Sequence, residues 1–386
     1  MAGNESLNTA ARAKKDEFYT LLPDIERELK HYSNHFDGKT VLCNCDDPFE
    51  SNFFKYFVLN FHKLHLRKLI TTGYAGSPAA GKLLLSPFDK DSHDESLRNT
   101  AYMAEVTAVP DAAILNAPGY NTASPDEERK DSEDPPDDRR PAHRLDIDQL
   151  FRIDGNKLTE LEGNGDFRSP ECLKLMDEAD IVVTNPPFSL FREYIAALMS
   201  HNKKFIIIGN QNAITYKEVF PLVMHNEMWL GTSYPKEFII PENMEGRSNT
   251  YIKSDGTLMA KFGNVCWYTN LDLKKRHEKI TLVKRYTPEE YPRYDNYKAV
   301  EVSRTSDIPC DYSGVMGVPI SFMGKYNPDQ FEIVGADEAE GTGFSNGLFT
   351  GGVKQCLVDG KRIYKRIFIR VRQGTRTKTE NSGNKK

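Results

Sequence analysis

Residues 180–188 read DIVVTNPPF, and this stretch restricts the fold more than any other in the chain. Ile181, Val182 and Val183 form a β-branched run without polar alternation, the pattern of a strand buried on both faces. Pro186 and Pro187 end it, because proline carries no amide hydrogen and fixes φ. A doubly buried strand belongs to an open α/β sheet, and such sheets bind ligands beyond the carboxyl ends of their strands. The stretch therefore sets an asparagine, two prolines and a phenylalanine where a ligand is expected.

The rest of the chain agrees with such a sheet. Residues 16–36 carry Ile25, Leu29, Tyr32 and Phe36 at helical spacing and predict an amphipathic helix. Residues 39–48 predict a strand ending at Asp46-Asp47-Pro48, residues 51–64 a helix, and residues 67–75 a second strand. That rhythm is the βαβ unit of a parallel sheet. Further strands are expected at 203–210 and 264–271, with a helix after the prolines from Phe191. From about 280 onward the pattern is mixed β and loop, closing on an alternating strand at 363–372. Residues 1–15 and 122–144 show no apolar face and are expected to be a disordered leader and a polar surface insertion.

At 386 residues the chain can hold two domains. No run of 18 apolar residues occurs, and the first residues lack a signal-type apolar stretch, so a cytoplasmic protein without membrane association is expected. Six cysteines without a CxxC pair and nine histidines without HExxH point away from metal chemistry. The net charge of −5 conceals an asymmetry. Residues 121–150 hold ten acids against five bases, whereas residues 361–386 hold ten bases against one acid. The C-terminal end can thus meet a polyanion.

The chemistry of the strand tip follows from its residue types. The exocyclic amine of adenine is a poor nucleophile because its lone pair is delocalised into the ring. Two acceptors drawing on its hydrogens favour a pyramidal nitrogen and release that pair. A carboxamide oxygen from Asn185 and a peptide carbonyl of the Pro186-Pro187 pair supply such acceptors in fixed geometry. Phe188 offers a face on which the base can stack. A tight turn with Phe188 in the core is the plainer reading of the same residues.

NPPF after an apolar strand resembles the catalytic motif of the S-adenosylmethionine-dependent adenine-N6 DNA methyltransferases. With DEFYT (16–20), VLCNCDDPFESNFFKYF (41–57) and NVCWYTNL (264–271), the chain looks like the EcoRI-type modification methyltransferase family over most of residues 14–275. The resemblance implies an α/β fold with a Rossmann-like class I core over 16–275 and a C-terminal mixed β target-recognition region over 276–386. It implies S-adenosylmethionine as cofactor, with Phe18, Tyr19, Thr20, Asp46, Asp47, Pro48, Asp166 and Phe167 against it. Asn185, Pro186, Pro187 and Phe188 would be catalytic. Trp267 and Tyr268 can wall the extruded base or lie in the core, and Arg247 and Asn249 can read bases or close a solvated hairpin. Two family features are missing: Ser51-Asn52-Phe53 stand in place of a glycine loop, and Thr71-Thr72-Gly73 in place of a ribose-binding acid.

The implied substrate is double-stranded DNA, at GAATTC with an inner adenine methylated, by a monomer acting alongside a separate cognate endonuclease. From the residues alone, a related enzyme acting on RNA or a glutamine amide stays open, as does a non-catalytic DNA-binding module.

Overall fold

The computed structural model describes residues 18–45, 47, 51–75, 101–110, 150–240, 249–339 and 341–372. The leader, the acidic insertion, Asp46, Pro48, Arg247 and the chain beyond 372 lie outside the described residues.

In chain order the N-terminal part contains β1 (Tyr19–Thr20), α1 (Leu22–Leu29), β2 (Thr40–Asn44), α2 (Asn52–Leu59), β3 (Lys68–Gly73), β4 (Tyr102–Val106) and β5 (Lys157–Glu160). There follow α3 (Pro170–Glu178), β6 (Ile181–Thr184), α4 (Phe191–Ser200), β7 (Lys204–Asn210), α5 (Phe220–Met224), β8 (Trp229–Leu230) and β9 (Glu237–Ile239). The hairpin β10 (Thr250–Ile252) and β11 (Leu258–Lys261) leads into β12 (Val265–Thr269). The C-terminal part holds β13 (Val300–Glu301), β14 (Met316–Pro319), β15 (Phe331–Ala336), β16 (Leu357–Val358), β17 (Lys361–Arg362) and β18 (Arg366–Val371).

Eight strands form the main sheet in the order β5-β4-β3-β2-β6-β7-β12-β8. β3, β2, β6 and β7 run parallel, and β12 is antiparallel to both β7 and β8. β2, β6 and β12 are buried at every residue, as doubly covered strands must be. The chain leaves β2 for β3 on one side, then returns to β6 and continues to β7 on the other. The strand order therefore reverses between β2 and β6, the position where an open sheet forms a crevice.

The predicted helix over 16–36 is shorter than expected. Pro23 stands in its first turn, where a missing amide costs nothing, and α1 starts at Leu22. Tyr19 and Thr20 instead pair with Ile239 and Phe238 in a second sheet, β1-β9-β11-β10. The helical face itself is as expected, with Ile25, Leu29, Tyr32 and Phe36 fully buried. β13-β14-β18-β15 form a third sheet. Its core is continuous with that of the main sheet, since Val182, Ile207 and Tyr268 belong to the same buried cluster as Phe322, Phe331 and Ile369.

Candidate active site

At the carboxyl end of β6 the Thr184 hydroxyl donates to the Asn44 carbonyl at the end of β2. This stitches together the two strands that flank the order reversal. The Asn44 side chain, itself buried, accepts from the Tyr194 hydroxyl of α4. Beyond Thr184 the backbone turns through the prolines, and Pro187 carbonyl accepts from Leu190 N–H at 3.0 Å, opening the turn that leads to α4.

Asn185 Nδ2 donates to the carbonyl of Phe18. That bond fixes the amide so that Oδ1 is a buried acceptor with no partner among the described residues. Such an atom is costly to leave unmet, by about 1–3 kcal/mol, and is a ligand-seeking group. Phe188 is half-buried, its ring edge-on to Phe18 with centroids 5.7 Å apart. Phe18 also lies 4.6 Å from the half-buried Phe262. An aromatic cluster thus stands beside the carboxamide, built from β6, the N-terminal segment and the second sheet.

Further buried polar atoms without a hydrogen-bond partner among the described residues lie on β1, β2 and β3. They are Thr20 Oγ1 on β1, Asn44 Nδ2 on β2, and Thr71 and Thr72 Oγ1 on β3. Asn44 and Thr72 are register partners. Side chains of this type at a switch-point crevice fit a ligand that carries hydroxyl, amine and carboxylate groups. Asp47 lies at the end of β2 and is 6 % exposed. Its carbonyl accepts from Ser51 N at 2.7 Å. Ser51 Oγ in turn accepts from Phe53 N at 3.0 Å and Phe54 N at 3.4 Å, capping α2. Asn52 Nδ2 donates to the Thr20 carbonyl at 2.8 Å, holding β1 against that helix start. The residues that replace the glycine loop thus build a capped helix end tied to β1.

Asp166 approaches from the loop before α3. Gly165, at φ +77°, lets this loop cross the tip of β3; a Cβ there would stand 2.8 Å from the Gly73 carbonyl. Burial would raise the Asp166 pKa, but the hydrogen bonds and charge of Arg168 prevail and hold it below the usual carboxylate value. Arg168 reaches both carboxylate oxygens, at 2.9 and 2.6 Å, and also Glu193 at 2.6 Å. Phe167 is 3 % exposed and packs edge-on to Tyr194 at 4.9 Å, linking this loop to the Asn44 side chain.

Two expected base-contacting residues are corrected. Trp267 and Tyr268 are fully buried in β12 and cannot wall an open pocket. Trp267 packs edge-on to Phe53, Tyr268 lies against Phe191, and the Tyr268 hydroxyl donates to Asn210 O at 2.9 Å. Asn249 closes the β10–β11 hairpin, donating from Nδ2 to Lys261 O at 3.2 Å while its own carbonyl accepts from Lys261 N at 2.9 Å. Tyr19 is half-buried in β1. The sequence points to no role for Asn44 or Tyr194, and marks Asn52 and Thr72 only as departures from the family pattern. The one available signal was that VLCN, like IVVTN, is an apolar strand ending on asparagine.

A carboxamide acceptor held at a switch point, with aromatic rings beside it, is an arrangement suited to a flat, amine-bearing ligand, and comparison with relatives gives the class of protein. The model of a family described as adenine-specific methyltransferase EcoRI matches residues 6–372. The chain belongs to that family, and it is a site-specific DNA adenine methyltransferase. It is 39 % identical to the type II methyltransferase M.EcoRI of Escherichia coli over 379 residues, 96 % of this chain and 97 % of that protein. It is 31 % identical to M.MgeORF184P of Mycoplasma genitalium and 30 % identical to M.MpnI of Mycoplasma pneumoniae, each covering 95 % of this chain and 98 % of the relative. No solved structure matches the chain significantly. Among the described residues, no helix is long and apolar enough to cross a membrane.

Proposed function

We propose that the chain moves a methyl group from S-adenosylmethionine to the N6 amine of an adenine flipped out of duplex DNA. The observation that carries this reading is Asn185 Oδ1, a buried acceptor without a partner among the described residues, at the point where the strand order reverses. Asn185 Oδ1 and the Pro186 carbonyl take the two N6 hydrogens, which withdraws the nitrogen lone pair from the ring. The amine is then held for in-line attack, where position rather than acid–base chemistry supplies most of the acceleration. Phe188 stacks on the base, with the exposed parts of Phe18 and Phe262 closing the aromatic side of the pocket. Extruding the base costs a few kcal/mol, offset by that stacking and by contacts to phosphates.

S-adenosylmethionine supplies the electrophilic methyl when bound. Thr20, Asn44, Asp47 and Thr72 would hold it at the ends of β1, β2 and β3, and their unpartnered or buried polar atoms fit its hydroxyl, amine and carboxylate groups. Asp46, Pro48, Tyr19, Asp166 and Phe167 complete the proposed cofactor side, with Arg247 and Asn249 on the DNA side. The main sheet is, on this reading, a Rossmann-like class I methyltransferase core spanning 16–275, and residues 276–386 form the target-recognition region. The similarity to M.EcoRI makes GAATTC the proposed target, and the enzyme on this reading acts as a monomer, with a separate endonuclease as its functional companion.

The test is incubation of the purified protein with methyl-tritiated S-adenosylmethionine and duplexes carrying GAATTC, followed by nucleoside analysis. Label in N6-methyladenine at the inner adenine is the expected result. Label only on RNA or protein would overturn the substrate while leaving the strand-tip chemistry in place.

A further inference from the structure

We infer that the two-stranded ribbon β16–β17, with Tyr364 and Lys365 after it, grips the phosphate backbone of duplex DNA beside the extruded adenine. The inference deepens the methyltransferase reading and rests on it. The ribbon is sharply built. Leu357 pairs with Arg362 and Val358 with Lys361, so Asp359 and Gly360 alone form the turn. Both have positive φ, +50° and +72°, the geometry of a two-residue type I′ hairpin. Asp295 Oδ2 accepts from Gly360 N at 2.8 Å and anchors the turn. The base of the ribbon is fixed by Asn296, which is 4 % exposed; its Oδ1 accepts from Leu357 N at 2.9 Å. Beyond the exposed Asp359 of its turn, the second strand of the ribbon consists of two exposed cations, Lys361 and Arg362.

Its position gives the charge a purpose. The Tyr364 hydroxyl donates to Asn212 Oδ1 at 3.2 Å, and Lys365 Nζ donates to Thr215 Oγ1 at 3.3 Å. Asn212 and Thr215 lie in the turn that directly follows β7. β7 is the neighbour of β6, with Thr184 opposite Ile207. It continues three residues further to Asn210, so its tip projects ~10 Å beyond Thr184 at ~3.3 Å per residue. The tether thus sets the ribbon beside the strand tip next to Asn185, where a duplex presenting an adenine comes within its reach. Tyr364 remains 61 % exposed despite that tether. In a protein of net charge −5, two exposed cations on a rigid ribbon tethered beside the tip of β7 are complementary to a phosphate backbone.

The test measures binding separately from turnover. A fluorescent GAATTC duplex is titrated with full-length protein carrying Lys361→Glu and Arg362→Glu, in the presence of a non-reactive cofactor analogue, from 50 to 300 mM salt. The matched control carries Lys30→Glu and Lys63→Glu, two exposed lysines away from the strand tips. The ribbon variant is expected to bind at least 10-fold more weakly at 100 mM salt. Its slope of log K against log salt is expected to fall by about 2, because two cations no longer neutralise phosphates. The control is expected to bind like the wild type. Calorimetric cofactor affinity and the thermal midpoint should be the same in all three, which excludes misfolding. A ribbon variant that binds like the wild type, or a control weakened equally, would overturn the inference. Failure of the wild type to methylate adenine in DNA would overturn the parent reading instead.

Discussion

At the scale of single residues, the two ends of the Asn185 carboxamide have different tasks, and this difference can be measured. Nδ2 is held by the Phe18 carbonyl, and Oδ1 is left to accept. Asn185→Ala removes the acceptor and is expected to lower kcat by roughly 10²–10³, the cost of losing one preorganised partner of a reacting group. Cofactor affinity, read by calorimetry, should stay near wild type. Asn185→Asp keeps an acceptor but sets a carboxylate against the Phe18 carbonyl, so it should fall nearly as far; activity close to wild type would show that orientation by Phe18 is unimportant. Phe188→Ala should weaken capture of the duplex by ~1–3 kcal/mol, one stacked base, with cofactor binding nearly unchanged. Lost cofactor binding would make Phe188 a core residue. The carboxamide was legible in the sequence because an asparagine and two prolines after a β-branched run have few structural uses. Phe188 was legible with it, but Phe262 and the burial of the β12 rings were not. Val265-Cys266-Trp267-Tyr268-Thr269 is apolar at almost every position because β12 is covered on both faces, and nothing in such a run tells a core ring from an open one. Phe262 sits just outside it, half-buried, in a hairpin that no periodicity in the sequence marks.

At the scale of elements, the crevice depends on two connections that hold strand tips open without a glycine loop. Ser51 caps α2 by accepting from two backbone amides. Ser51→Ala should cost about 1 kcal/mol, seen as a lower denaturant midpoint with unchanged slope, and should loosen the Asn52–Thr20 contact that holds β1. The loop bearing Asp166 depends on Gly165. Alanine there would be strained at φ +77° and would set its Cβ 2.8 Å from a backbone oxygen. Gly165→Ala is expected to destabilise by ~1–3 kcal/mol and to weaken cofactor binding, with calorimetry and thermal melting as the measurements. Unchanged affinity would remove this loop from the cofactor side. The parallel strands and the βαβ unit were readable in advance because burial on both faces leaves continuous apolar runs. The second sheet was hidden for the opposite reason. Its strands are two to four residues long, one ahead of the main-sheet strands and three inserted between β8 and β12, so no local period announces them. Pro23 was the available sign that Tyr19 and Thr20 precede the helix rather than belong to it.

At the scale of the whole molecule, the C-terminal part, proposed to read the target, shares its core with the main sheet, and polar clamps join the two. Arg276 lies 3.7 Å from the Trp229 ring centroid and donates to Asn226 Oδ1 at 2.8 Å, and the same oxygen accepts from the Tyr326 hydroxyl at 3.1 Å. One residue on, His277 bridges two carboxylates from opposite sides of the boundary, Asp329 Oδ2 at 2.7 Å from Nδ1 and Asp272 Oδ1 at 3.0 Å from Nε2. The hydrogen bond donated to Asp329 first, and that donated to Asp272 second, raise the His277 pKa above 6.5. A histidine whose folded pKa is raised contributes its stability in full below the unfolded value and loses it as pH rises through the folded one. The wild type should therefore melt higher than His277→Gln at pH 6, and the difference should vanish toward pH 9. Because His277 is partly exposed, added salt should shrink the gap at pH 6 as well. Thermal melts of both proteins across that range decide the matter. A gap independent of pH would mean that His277 acts by packing, whereas a gap that closes with rising pH would make the junction between main sheet and C-terminal part weaker in alkaline solution. DNA affinity followed over the same range would show whether that junction also sets how firmly the duplex is held.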